Sequence, residues 1–222
     1  MTELIETLKS EVDETITRLK KKKFRVDPLA GEHFSKITSL MSSAYKRHGF
    51  ILERAILERL KTKPQFEVWE DRTFHVPKVA DHIVDASLDE PESIIDTEHT
   101  YQEKEGFRTL QIDTIVYDKS KKQISAYEVK RGNGKHDAGK RRSMLRDLLC
   151  VQVLLKSYGK KKGYEISTAR SLIIFYYGQC SLGKPFSLTK DELDHHFSYS
   201  IVKEVEEVNT HFRKRLFSLL SA

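Results

Sequence analysis

Hydrophobic residues recur along this chain with two different periods. A helical period, with apolar residues three and four apart, predicts helices over 2–23, 31–46, 50–60, 138–158, 189–197 and 200–220. Runs of β-branched and aromatic residues predict strands over 66–76, 108–117, 123–131 and 168–177. The acidic segment 81–105 carries neither pattern. Gly49 is taken as the break between the second and third helices.

The strands 108–117 and 123–131 are separated by a short polar turn, so they are predicted to form a β-hairpin. If the hairpin closes symmetrically about that turn, Asp118 pairs with Gln123. Every other pair of the hairpin follows from this register, because the pairing of two antiparallel strands advances one residue at a time.

That register places Asp113 opposite Glu128, with Cβ atoms about 5 Å apart. The period of two adds Gln111 and Lys130 to the same face of the sheet. Two facing carboxylates repel each other unless a proton or a cation lies between them. The cluster is therefore interpreted as a metal site, although the same residues also fit an ordinary cross-strand salt bridge on a solvated face.

The neighbouring positions of the hairpin bear on that choice. On the face of the cluster the sequence places Ile115, Tyr117, Ile124 and Ala126. On the opposite face it places Leu110, Ile112, Val116, Tyr127 and Val129. A hairpin that is apolar on both faces is expected to be covered on both sides, and charges in such a place favour a functional role.

Composition limits the class of protein. The chain is 38% hydrophobic and 32% charged, which is typical of a soluble globular protein. No apolar run approaches the roughly 18 residues of a membrane span, and the N-terminus lacks the pattern of a secretory signal, so a cytoplasmic location is predicted. Two cysteines provide neither a disulfide framework nor a metal-binding spacing.

Charge is unevenly distributed along the chain. The net charge is +6, but the segment 119–162 alone holds fourteen basic and three acidic residues. A basic segment that passes the carboxylate pair and continues into the next helix suits a polyanion, although solvated charged helices are common. The predicted phosphate-binding residues are Gln111, Arg131, Lys135, Lys140, Arg141 and Arg142, with Arg146 one turn further. His195 and His196 are interpreted as surface charge.

The order of elements over about 45–180, with an aspartate on one strand (Asp113) and Glu128-Val-Lys130 on the next, resembles the PD-(D/E)XK nuclease superfamily. Many members also carry a glutamate in a Gly-x-x-x-Glu context, which Gly49 and Glu53 match, with Glu58 as the reserve. Two features depart from the family. Ile112 stands where the motif has proline, and Gln152 is followed by Lys156 where the exonuclease branch has tyrosine.

The resemblance implies an α/β fold with a restriction-endonuclease-like core, in which helices flank a central mixed β-sheet. Extra helices are expected at both termini, with 1–30 as an N-terminal helical extension and 31–222 as the nuclease domain. The implied activity is Mg²⁺-dependent hydrolysis of double-stranded DNA by an endonuclease, with Mn²⁺ able to substitute, and a homodimer is compatible with it. A nucleic-acid-binding protein without cleavage activity and an RNA-acting nuclease are the alternatives.

The family's site maps onto this chain residue by residue. Asp113, Glu128, Lys130 and Glu53 would be the catalytic residues. Asp113 and Glu128 would hold the metal ion, together with the backbone carbonyl of Val129 and with Glu53. Lys130 would orient the attacking water and hold the scissile phosphate.

Overall fold

The structure of the protein is a computed structural model, and it describes residues 2–102 and 108–221. The helices are α1 (Thr2–Lys21), α2 (Gly31–Lys61), α3 (Lys78–Ser87), α4 (Ala138–Lys161), α5 (Lys190–Phe197) and α6 (Val202–Leu220). The strands are β1 (Phe66–Val76), β2 (Arg108–Asp118), β3 (Gln123–Lys130), β4 (Thr168–Phe175) and β5 (Ser187–Thr189). A 3₁₀ turn covers Pro91–Ile94.

The chain divides into two compact units. One extends up to Arg59 and resumes at Ser200, and the other spans Leu60–Tyr199. This grouping puts most of α2 with the terminal helices rather than with the sheet. This division differs from the proposed boundary at residue 30. The assignment of 1–30 as an extension and 31–222 as a nuclease domain stays a prediction.

The central unit contains a five-stranded mixed sheet in the order β1-β2-β3-β4-β5. The pairs β1–β2 and β2–β3 are antiparallel, whereas the pairs β3–β4 and β4–β5 are parallel. Parallel strands require a crossover, which α4 provides between β3 and β4. The predicted α/β class with a central mixed sheet is confirmed, and the restriction-endonuclease-like character of its core stays a prediction.

One face of the sheet packs against α4 and α3 and forms the main hydrophobic core. Leu149, Leu154 and Leu155 of α4 are completely or almost completely buried there. On β3, Tyr127 belongs to a different environment, since its ring lies 5.1 Å from the ring of Phe197 in α5. Strand β3 is thus covered on both sides, as the apolar character of the hairpin predicts.

Gln152 is a polar residue within the buried part of α4. Its Nε2 donates to the carbonyl oxygens of Ile95, at 2.6 Å, and Ala169, at 3.0 Å. Its Oε1 accepts from the amide of Ser171 at 2.7 Å. The side chain therefore joins α4 to β4 and to the segment after the 3₁₀ turn, which satisfies three backbone groups that burial would otherwise leave without a partner.

The helical unit buries the apolar stripes of its three long helices. Val12 and Ile16 of α1, and Val205 and Phe212 of α6, are 5% exposed or less. Helix α2 runs without a break through Gly49, so the predicted division into two helices is wrong. One glycine costs a helix only about 1 kcal/mol relative to alanine, and the buried stripe on either side of it outweighs that cost.

Two further differences from the sequence-based expectations concern short elements. The acidic segment 81–105 contains most of α3 and the 3₁₀ turn, and its residues 103–105 lie outside the described residues. Strand β5 was not predicted, because three residues are too few to show a period. None of the helices in the described ranges is long and apolar enough to cross a bilayer.

Candidate functional site

The candidate site lies at the end of the sheet where β3 finishes and β2 begins. The hairpin has the predicted register, with Asp118 paired to Gln123 and the ladder continuing to the pair of Thr114 and Tyr127. The regular pairing stops there, one position before the expected pair of Asp113 and Glu128. The site residues therefore lie just beyond the last regular pair.

Asp113 makes a contact that the sequence does not reveal. Its Oδ2 accepts a hydrogen bond from the backbone amide of Val129 at 2.8 Å. The carboxyl group thus takes the place of a backbone acceptor where the ladder between the two strands ends. This bond fixes the side chain of Asp113 against β3, between the positions of Glu128 and Lys130.

Burial raises the pKa of the Asp113 carboxyl group above its ordinary value. The amide of Val129 and the charge of Lys130 oppose this increase, whereas the negative charges of Glu128 and Glu70 add to it. The electrostatic surroundings therefore disfavour the ionised form of Asp113. A cation bound nearby would reverse that preference.

Glu128 and Lys130 lie two residues apart on β3 and form an ion pair, with Nζ 2.5 Å from Oε1. Each side chain keeps 34% of its surface exposed. Pairs this exposed contribute little stability, typically below about 1 kcal/mol. The pair is therefore accessible from solvent, and it balances one of the carboxylates with an ammonium group.

Glu70 is a member of the cluster that the sequence reasoning missed. It lies on β1, and its carboxylate accepts bonds from Nε of Arg72 at 3.1 Å and from Nη2 at 3.0 Å. The signal available in the sequence was the polar run Glu70-Asp71-Arg72 inside an otherwise apolar strand. A polar interruption of that kind indicates an irregular or functional position.

The pairing of β1 with β2 is irregular at this point. Its register shifts between Trp69 and Asp71 and again between Asp71 and Phe74. Ile112 consequently joins the core formed with α4, together with Ile115, so the predicted assignment of Leu110 and Ile112 to the opposite face is wrong. An irregularity in one strand changes which residues face the core, and here the change coincides with Asp113.

A cavity of about 150 Å³ opens beside the site, between the sheet and α4. Its polar lining comes from Gln111, Glu128, Asp147 and Ser171, and the rest is largely apolar. Of the four polar residues predicted to share one face of the sheet, Gln111 and Glu128 line this cavity, and Asp113 and Lys130 are not among its lining residues. The lining also includes Asp147 of α4, whose Oδ1 accepts from Nη1 of Arg108 at 2.7 Å.

The basic residues near the site fall into two groups. Lys135, Lys140, Arg141 and Arg142 are exposed, and none of them pairs with an acidic residue within the described ranges. Arg146 instead bonds Asp85 and Asp81, and its expected contact with phosphate stays a prediction. Two carboxylates of α3 already balance the positive charge of Arg146.

Arg131 directly follows Lys130, the last residue of β3. Its guanidinium carbon lies 5.8 Å from the centre of the Tyr177 ring, an exposed aromatic side chain that follows β4. Arginine on an aromatic face keeps its charge while its plane is held in one orientation. Because β3 and β4 are parallel, both side chains lie at the carboxyl ends of strands, where α/β sheets commonly bind ligands.

Helix α4 begins with a concentration of positive charge. Asp137 accepts from the amide of Lys140 at 2.9 Å and so caps the helix. No acidic residue lies in the first turn of this helix. Each cation at a helix N-terminus interacts unfavourably with the helix dipole, by about 0.3–1 kcal/mol, whereas the free backbone amides there favour a bound anion.

The remaining expected residues are Glu53, its reserve Glu58 and Val129. Glu53 lies on α2 in the other compact unit, and Glu58 pairs with Arg54 on the same helix at 3.2 Å. The roles of Glu53 and of the Val129 carbonyl as metal ligands stay predictions. Within 2–102 and 108–221, no three histidine, cysteine, aspartate or glutamate side chains are grouped as a metal site.

The two adjacent histidines differ in their surroundings. The ring of His196 hydrogen-bonds the hydroxyl of Tyr127 at 2.8 Å, and burial lowers its pKa to about 4. Its interpretation as surface charge is therefore wrong, whereas His195 is exposed. His196 is a neutral packing residue between α5 and β3.

Comparisons of the chain with protein-family models, with curated proteins and with solved structures gave no match.

Proposed function

We propose that the protein is a metal-dependent endonuclease that hydrolyses phosphodiester bonds of double-stranded DNA, on a restriction-endonuclease-like core. The observation that carries this proposal is the surroundings of Asp113. Burial and two neighbouring carboxylates raise the pKa of its carboxyl group, at a place that also holds an accessible lysine. Such a perturbed carboxyl group beside strand ends is typical of functional sites.

The donor atoms at this place fit a hard divalent cation. Asp113 and Glu128 would hold Mg²⁺, with the Val129 carbonyl and Glu53 as the further ligands that the resemblance implies. One or two carboxylates completed by water and phosphate oxygens are typical of protein-bound Mg²⁺, and Mn²⁺ accepts the same donors. When bound, the ion would supply Lewis-acid stabilisation of charge on the phosphoryl oxygens.

The protein's own side chains would position the attacking water and bind the phosphates of the DNA. Lys130 is held by Glu128, and this pairing positions its ammonium group beside the carboxylates, where it can donate to a water molecule or to a phosphate oxygen. Lys135, Lys140, Arg141 and Arg142 would contact flanking phosphates, with the amides at the start of α4. Arg131 would present its guanidinium from the ring of Tyr177.

Supercoiled plasmid DNA incubated with Mg²⁺ tests the proposal. The wild-type protein should nick or linearise the plasmid with Mg²⁺ or Mn²⁺ and not with EDTA. Asp113→Asn, Glu128→Gln and Lys130→Met should each reduce the cleavage rate at least 100-fold, since proton transfer and charge stabilisation each contribute about that much.

Matched controls come from the other end of the same hairpin. Asp118→Asn changes the same residue type on β2, and Lys119→Met removes a lysine that pairs with Glu67 at 3.0 Å. Both should leave the cleavage rate within about twofold of wild type. Cleavage that persists in all three site variants would refute the proposal.

The ion pair of Glu128 and Lys130 favours one alternative, a DNA-binding protein without cleavage activity. An accessible pair that is neutral overall is also what an ordinary surface salt bridge looks like. DNA binding that Lys140→Glu and Arg141→Glu weaken, with no cleavage under any divalent cation, would favour this alternative.

A further inference from the structure

A basic groove lies in the helical unit, between the end of α1 and the middle of α2. Arg18 of α1 and Lys22, which directly follows that helix, line it on one side, and Lys46 and Arg47 line it from α2. Its cavity has a volume of about 260 Å³. The remaining lining side chains are Thr15, Leu19, Ser43 and Phe50.

Among the residues that the structure describes, no carboxylate lines this groove. Arg18 pairs with Glu14 one turn earlier, at 2.7 Å, in a pair whose two side chains are both well exposed. Lys22, Lys46 and Arg47 have no acidic partner in the part of the chain that the structure describes. Cations that face one another across a groove repel, and a bound polyanion would remove that repulsion.

The groove continues into a second cavity of about 380 Å³. The two cavities share Lys22 and Ser43, and the second adds Ser39, Ser42 and Phe24. Serine hydroxyls donate to phosphate oxygens, as the lysines do. Along α2 the groove extends from Thr38 to Phe50, which is about 18 Å at 1.5 Å per residue. This length exceeds what one isolated phosphate group requires and suits a strand of linked phosphates.

Phe50 lies at one end of the groove, and its side chain is 60% exposed. It follows Arg47 by three residues and therefore lies on the same side of α2. An exposed aromatic ring beside phosphate-binding cations is the combination by which proteins hold unpaired nucleotides, because the ring stacks on a base. Bases within a duplex are already stacked on each other, so the ring favours a single strand.

We propose that this groove binds single-stranded nucleic acid. Arg18, Lys22, Lys46 and Arg47 contact its phosphates, and Phe50 stacks on one unpaired base. The groove lies in a different compact unit from Asp113 and uses none of the proposed nuclease residues. The inference therefore stands whether or not the protein cleaves DNA.

Fluorescence anisotropy with a short labelled oligothymidylate tests it, using the full chain in EDTA so that cleavage cannot consume the probe. Lys46→Glu combined with Arg47→Glu should weaken binding at least tenfold. The slope of log affinity against log salt should fall by about 1.4, because each phosphate contact on a single strand contributes roughly 0.7. Phe50→Ala should weaken binding roughly 5- to 100-fold and leave the affinity for a duplex of the same length unchanged.

The matched control reverses two other charges in the same unit. Arg213 and Lys214 are exposed on α6, so Arg213→Glu with Lys214→Glu changes the net charge equally at a distance from the groove in sequence. This control should keep at least half of the wild-type affinity. Circular dichroism checks that both double variants are folded, and Lys46→Gln with Arg47→Gln repeats the test if the first pair is not.

Three outcomes would overturn the proposal. The first is wild-type affinity in the groove variants, and the second is an equal loss in the control. The third uses vesicles of anionic phospholipid as the probe. If the groove variants lose vesicle binding and keep oligonucleotide binding, the groove belongs to a membrane surface and not to nucleic acid.

Discussion

Asp81 of α3 is a buried charge whose removal has a calculable effect. Its side chain is only 7% exposed, and its Oδ1 lies 2.9 Å from Nη2 of Arg108 and 2.9 Å from Nη1 of Arg146. The thiol of Cys150 also donates to it, at 3.4 Å. These contacts join α3 and α4 to Arg108, the first residue of the strand that carries Asp113.

Asp81→Asn removes the charge and keeps one acceptor oxygen. A hydrogen bond to a charged group contributes about 1.5–3 kcal/mol, and two short ones are weakened here. The loss is moderated because Arg108 retains Asp147, Arg146 retains Asp85, and both guanidinium groups are 25–30% exposed. We therefore expect the free energy of unfolding to fall by about 2–3 kcal/mol, less than the 3–5 kcal/mol of a fully stranded buried charge.

Urea unfolding at neutral pH, followed by circular dichroism, measures this difference. The matched control is Asp96→Asn, since Asp96 also pairs with an arginine, Arg170 at 3.0 Å, but is 87% exposed. The control should lose at most about 1 kcal/mol. The denaturant slope should be the same in all three proteins, so that the midpoints can be compared.

Acid provides a second measurement on the same variants. Burial opposes ionisation of Asp81, but the bonds from Arg108 and Cys150 and the nearby arginine charges outweigh it, and the pKa of Asp81 is lowered. A lowered pKa stabilises the folded state above the unfolded value of about 3.9, and this contribution disappears as the pH falls through the folded pKa. The difference between wild type and Asp81→Asn should therefore shrink below about pH 4. Equal midpoints for Asp81→Asn and Asp96→Asn at neutral pH would refute the reasoning.

Three further predictions concern other parts of the central unit. In EDTA at neutral pH, Asp113→Asn should raise the melting temperature by a few degrees, because burial raises the pKa of the carboxyl group and its ionised form therefore destabilises the folded state; a lower melting temperature would contradict this. Burial lowers the pKa of His196 to about 4, so the wild-type free energy of unfolding should decline by roughly 2–3 kcal/mol as the pH falls from about 6.5 to 4. In urea titrations at these two pH values, His196→Phe should lose correspondingly less, and parallel pH profiles of the two proteins would count against this prediction. Gly132→Ala should destabilise the protein by at least about 2 kcal/mol, because Gly132 has a φ of 66° and an added Cβ would lie 2.8 Å from the Cβ of Phe175. Gly134→Ala, where nothing lies within 4 Å, should change the unfolding midpoint little, and equal effects of the two substitutions would show that the close approach is unimportant.

The sequence predicts the hairpin well and the site around it only in part. The turn determines the register of β2 and β3, because the two strands are adjacent in sequence and the short turn between them allows only one symmetric pairing. The irregular pairing of β1 with β2 depends on contacts across more than thirty residues, which no local period records. The contribution of Glu70 and the bond from Val129 to Asp113 both arise at that irregularity.

Helix boundaries show the same division between local and tertiary causes. Gly49 is a local signal for a break, but the buried residues before and after it keep α2 continuous. Strand β5 has only three residues, and it forms because β4 offers it a parallel partner at Ile173–Phe175. Neither outcome follows from the residues of the segment itself.

The amide of Gln152 also determines which backbone groups of β4 remain open to pairing with another polypeptide. Strand β5 pairs with β4 only over Ile173–Phe175, so within the described ranges the backbone of β4 around Ala169 and Ser171 has no neighbouring strand on that side. An uncovered strand margin of this kind is a template on which another polypeptide can add and grow into aggregates. Gln152 gives a donor to the carbonyl of Ala169 and an acceptor to the amide of Ser171, as a neighbouring strand would, so these two backbone groups are already bonded and offer no template for intermolecular β-pairing.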